Sequence, residues 1–186
     1  QTIFKKNNGF SLIINFIRER YYQINSILNT YYYISIPEEL HEIEDKQILS
    51  LFREDLGSNL PKLIEAINSL EDQEKKKKLL DDKIIEKVEI QLKAKLIADN
   101  TAKSLKKGSV YIALIEKCPS SRYFSSFASI CHSSAEIYNN IPDTIKNRNK
   151  NEALQLFSEL ENFSNYVSRE FNQILNAIQS IPKYAD

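Results

Sequence analysis

Between Ala153 and Ile181 an apolar side chain returns every seven residues, at Ala153, Leu160, Val167, Ile174 and Ile181. Phe157, Phe171 and Ile178 stand four positions beyond three of these, and Ser164 interrupts that second row. Seven residues make nearly two turns of an α-helix, so both rows run along one side of a rod. A seven-residue repeat kept up over this length favours helices packed at a shallow angle, as in bundles. Phe163, Tyr166 and Leu175 widen the stripe beyond a two-stranded seam, which predicts contact with at least two neighbouring helices.

The remaining chain reads as more rods of the same kind. Three glycines and five prolines in 186 residues are too few for the many turns of an all-β fold. After Gly9, apolar residues recur at three- and four-residue steps from Phe10 through Ile14, Ile17, Tyr21, Ile24 and Leu28 to Tyr31. "TYYYISI" (30–36) has strand-forming composition, but here it reads as the frayed helix end and a linker. A second helix is expected from "SIPEE", where Ser35 and Glu38 form a capping box, to Gly57. A third opens at Ser58 or Asn59 with Pro61 in its first turn.

Residues 71–79 form a charged stretch, expected as an exposed helix extension or the tip of a helical hairpin. Apolar spacing resumes at Leu80 and continues through Leu92, Leu96 and Leu105, with Gly108 expected as the C-terminal cap. "VYIALIEKCP" (110–119) is read as helix, Pro119 as a break, and Ser120 or Ser121 as the next cap. That helix ends at Asn140 and Pro142. The fold expected for 1–186 is a single all-α domain, a bundle of five to seven mostly antiparallel helices.

Charge and composition narrow the function. With 25 basic and 25 acidic residues the formal net charge is zero, so no global field draws the chain to nucleic acid or anionic membrane. The longest apolar run, "VYIALI", is far shorter than the roughly 18 residues of a membrane span. The sequence begins at Gln1 and holds no methionine, which reads as a processed product or fragment. A cytoplasmic setting is expected, with a secreted, processed chain as the alternative.

Cys131 and His132 adjoin, although the chain holds only two cysteines and two histidines. Successive residues on a helix diverge by about 100°. Tyr123, Phe127, Ile130, Cys131, Ser134, Ile137, Tyr138 and Ile141 then share an apolar stripe, while His132 turns toward Ser125, Ser129 and Glu136. Cys131 is therefore expected to behave as a small buried hydrophobe. His41 sits among Glu38, Glu39 and Glu42 and is expected to be solvated. Two reduced thiols are expected; a Cys118–Cys131 bridge would require an oxidising compartment. Seven serines in 120–134 read as small residues that permit close packing, with a phosphorylated or hydroxyl-lined surface as the alternative.

No other constellation suggests chemistry. Two His and two Cys, scattered, cannot write a His- or Cys-rich zinc site, and three glycines cannot write a phosphate loop or dinucleotide fingerprint. Helical-bundle ribonucleases carry Arg, a polar residue, four more residues and His; here Arg148 and Asn149 are followed by Leu154 in the histidine's place. "NFS" at Asn162 lies inside the strongest helix and reads as a chance sequon. The lysines of 93–107 are the best candidates for nucleic acid, although they are expected to spread around the helix axis. No catalytic, cofactor-binding or metal-binding residue is assigned. The expected function is a non-enzymatic scaffold or adaptor that binds another protein, with a homo-oligomer as a further arrangement. A secreted or surface ligand-binding protein and an accessory nucleic-acid-binding subunit are the alternatives, and an enzyme using Cys131 is the least supported.

Overall fold

A computed structural model describes residues 8–34, 60–143 and 148–180. All regular structure among these residues is helical: α1 (Asn8–Ile34), α2 (Leu60–Asn68), α3 (Gln73–Leu79), α4 (Asp82–Lys117), α5 (Ser121–Asn139), α6 (Arg148–Arg169) and α7 (Phe171–Ser180). The helix expected between Ser35 and Gly57, with His41, lies outside the described residues. Tyr31–Ile34 close α1 as helix, not strand.

Four helices make the core, and each buries a row alternating steps of three and four. In α1 the row is Phe10, Ile14, Ile17, Tyr21, Ile24 and Leu28, as its spacing predicts. In α6 it is Ala153, Phe157, Leu160, Ser164 and Val167. Ser164 thus occupies the seam and does not break it. In α5 the row is Phe124, Phe127, Cys131, Ser134 and Tyr138, and Ile141 continues it just past the helix end. Phe124 and Ala128 are buried there, whereas Tyr123, Ile130 and Ile137 are only half-buried, so the inner face is turned slightly from the expected stripe. In α4 the row is Ala94, Ala98, Thr101, Leu105, Gly108, Ile112 and Ile115. Four rods, each with an average repeat of 3.5 residues along its seam, pack nearly parallel to one another.

Contacts fix the order around the bundle. Arg18 meets Glu116 at 2.6 Å, and the Tyr21 hydroxyl donates to the Leu105 carbonyl at 3.0 Å, so α1 and α4 run antiparallel. Phe16 stacks near Phe163, with ring centroids 4.6 Å apart, and Arg20 approaches Glu159 at 3.8 Å, so α1 and α6 are antiparallel too. Cys118–Ser120 join α4 to α5, whose neighbour on the other side is α6. Across the diagonal, Phe10 meets Phe124 edge-on at 6.3 Å and Tyr21 meets Phe127 at 6.5 Å. Among the described residues the result is an all-α bundle with four helices in up-down-up-down order.

The segment boundaries modify three expectations. The stretch that carries the seven-residue repeat is divided at Glu170 between α6 and α7, and Ile181 lies outside the described residues. Of the two forms expected for residues 71–79, the structure departs only from the continuous helix extension. Asp72 Oδ1 accepts a hydrogen bond from the Glu74 amide at 3.1 Å, capping α3 as a separate short helix after the turn at Ser69–Asp72. Gly108 is not a C-terminal cap, and no described glycine has positive φ. It lies inside α4, where an added Cβ would come within 3.0 Å of Phe127 Cε1 and 3.4 Å of Tyr21 Cε2. Close approach of α1 and α5 explains the glycine, and α4 continues through "VYIALIEK" to Lys117. The Ser120 hydroxyl then accepts from the Arg122 amide at 3.3 Å and caps α5.

Candidate functional site

Cys131 and His132 separate as helix geometry requires. Cys131 is wholly buried on the inner row of α5. Burial, and secondarily the charge of Glu161, push its thiol up to about 12, so almost none is thiolate at neutral pH. Cys118 is exposed at the α4–α5 corner, and both thiols are free. The bridge expected of a secreted chain is absent from the structure.

His132 is exposed, and both of its ring nitrogens are occupied. Nδ1 lies 2.7 Å from Glu161 Oε1 on α6, and Nε2 lies 3.1 Å from Glu136 Oε1 one turn along α5. Two carboxylates are matched best by an imidazolium that donates from both sides. The hydrogen bond to Glu161 is the main reason the proton affinity of His132 is raised. This is a clasp between two helices; neither nitrogen is left to act on a third molecule. Glu136 was expected from the helix spacing. Glu161, 29 residues away, carried no local signal and was missed.

The serines of 120–134 serve several roles. Ser134 is buried and donates to Ser104 on α4 at 2.9 Å, and Ser120 is a cap. The Ser121 carbonyl accepts from Ser168 at 2.8 Å, which ties the start of α5 to the end of α6. Ser125, Ser129 and Ser133 are exposed. Close packing therefore explains some of the seven, not all. Asn162 is exposed on α6 and reaches Ser158 at 3.4 Å. Leu154, in the place of the missing histidine, packs half-buried against the core.

An open cleft of about 160 Å³ lies between α1 and α4, lined by Arg18, Tyr21, Tyr22, Ser109, Ile112 and Glu116. It is well below the few hundred Å³ of ordinary small-molecule sites, and the Arg18–Glu116 pair satisfies its charged groups. Among the described residues, no three His, Cys, Asp or Glu side chains converge as a metal site. Likewise, no described helix is long and apolar enough to cross a membrane.

The outer surface is more distinctive. On the α1–α6 side Leu12 is 69% exposed and Tyr166 51% exposed, near the half-buried Phe16–Phe163 pair. On α4, Lys95 is buried while Lys93, Lys103, Lys106 and Lys107 are exposed. Contrary to the expectation that they spread around the axis, four of the five lysines gather on the outward half. Leu96, expected to face inward, is 44% exposed among them, and Val110 is 58% exposed. Leu96 is displaced because Ala94, Ala98 and Thr101 hold the seam. The sequence matches no family model, and comparison with curated proteins and with solved structures finds no match either.

Proposed function

We propose that this chain is a non-catalytic helical interaction module whose partner is another protein. The observation that supports the reading is the α1–α6 surface. There Leu12, one turn before Phe16, and Tyr166, one turn after Phe163, are both exposed, although both helices already bury a complete inner row. Large apolar groups collected on an outer surface gain by being covered, and tyrosine is favoured at such interfaces because its ring is apolar and its hydroxyl polar. Burial and a raised thiol pKa make Cys131 a poor nucleophile, and both ring nitrogens of His132 face carboxylates, which favours a non-catalytic reading.

The test compares the wild-type chain with an L12S/Y166S variant as bait in extract of the source cells, with bound proteins identified by mass spectrometry. The variant is expected to lose one or more proteins that wild type retains, with its helicity and thermal midpoint unchanged because both positions are exposed. Identical protein sets for the two baits, or no protein retained above bare resin, would overturn the reading.

A further inference from the structure

The outward face of α4 repeats the pattern of its inward one. Leu96, Lys103 and Val110 are spaced by seven residues and, with Lys107, fall within a sector of roughly 60° opposite the buried seam. Lys93 and Lys106 flank this row, and all four lysines are exposed. No described acid pairs with any of them. Asp99, the one acid between residues 93 and 115, is half-buried and already engaged. The chain as a whole is neutral, so this is a local concentration of charge.

We propose that this row of α4 docks an acidic amphipathic helix of a partner protein. The apolar ends, Leu96 and Val110, lie about 21 Å apart along the axis, which is close to four turns. A partner helix lying alongside presents its own residues at the same intervals, so apolar groups meet Leu96 and Val110 while carboxylates between them meet Lys103 and Lys107. A lysine in the middle of an otherwise apolar row selects a partner with an acid at that level. Phosphate-backbone recognition would use the lysines and leave both apolar groups uncovered. A membrane surface would require a continuous apolar face, whereas Asn100 and the lysines interrupt this one. This inference rests on the interaction-module reading but uses a surface different from that of Leu12 and Tyr166.

The test titrates the whole chain with a synthetic helical peptide of about five turns, carrying Leu in a seven-residue repeat and Glu elsewhere. A single-stranded DNA oligonucleotide and phosphatidylserine-containing vesicles serve as parallel probes. The peptide is expected to bind wild type and to weaken with added salt. Charge reversal in K103E/K107E is expected to reduce its affinity at least tenfold, and L96S/V110S at least threefold. All four positions are exposed, and circular dichroism verifies that each variant is folded. Absence of peptide binding, or binding unchanged in K103E/K107E, overturns the proposal. So does tighter binding of DNA or vesicles, and so does peptide binding insensitive to L96S/V110S, which would reduce the site to undirected charge. If the peptide fails while the Leu12–Tyr166 surface still retains a protein, only this inference falls. If that surface retains nothing while the peptide binds as described, only the earlier assignment of the surface falls.

Discussion

Tyr21 and Tyr138 both lie on the inner rows of their helices, and burial raises the pKa of both phenols, that of Tyr138 to about 12. Their hydroxyls have different fates. Tyr21 donates to the Leu105 carbonyl on α4 at 3.0 Å, whereas the Tyr138 hydroxyl is buried without a partner among the described residues. A buried hydroxyl with no hydrogen bond has lost its water for nothing, while one with a partner contributes a net gain of about 1 kcal/mol. Replacing each by phenylalanine should therefore have opposite effects. Y21F is expected to lower unfolding stability by about 1 kcal/mol, and Y138F to raise it by a similar amount, about 1 kcal/mol. Urea denaturation of the two variants beside wild type measures both; a loss for Y138F equal to that for Y21F would show that Tyr138 has a bonded partner.

At the level of the helix, α4 is the instructive case. Its seam is Ala94, Ala98, Thr101, Leu105, Gly108, Ile112 and Ile115, so four of seven positions are not large apolar residues. The volume missing from α4 is supplied by its neighbours: Tyr21 from α1 and Phe127 from α5 close over Gly108. Thr101 satisfies its own hydroxyl by donating to the Ile97 carbonyl at 2.7 Å. Adding one methyl group at Gly108 should improve helix propensity by up to about 1 kcal/mol. It would also press against Phe127, which is fully buried and packed against Tyr21, and overpacking a closed site costs about 1–3 kcal/mol. The clash is expected to win: G108A should destabilise by about 1 kcal/mol, and G108L should destabilise by clearly more. Thermal and chemical unfolding decide the sign, and a stabilised G108A would mean that the Phe127 ring moves aside.

For the molecule as a whole, a mixed aliphatic and aromatic core holds the four rods, and partly exposed ion pairs join their edges. Arg18–Glu116, Arg20–Glu159 and His132–Glu161 each connect different helices. Exposed pairs add little to stability individually, but the last of them depends on pH. Hydrogen bonding to Glu161, then its charge and that of Glu136, raises the proton affinity of His132 in the folded chain. A raised folded value means that the contribution is fully present below the ordinary imidazole pKa of about 6.5 and is lost as pH rises through the folded value. Wild type should thus lose stability across that window more steeply than H132Q. In E161Q the imidazole should titrate closer to its ordinary value. Stability measured against pH, with an NMR titration of the imidazole protons, checks both; equal slopes for wild type and H132Q would show that the clasp is not formed in solution.

The row in α1, the part of the seven-residue repeat that lies in α6 (Ala153, Leu160 and Val167), the Ser120 cap, and the inward Cys131 beside the outward His132 were all determined by local spacing. Large apolar residues at helical intervals announce a buried side, and a rotation of about 100° per residue settles which neighbours diverge. The small-residue seam of α4, the internal position of Gly108, the exposure of Leu96, and the pairing of His132 with Glu161 were decided by the assembled bundle. Their physical reason is shared. Which residue fits at a crowded contact, or which charge lies opposite another, depends on side chains delivered by a different helix, and periodicity within one segment carries no record of them.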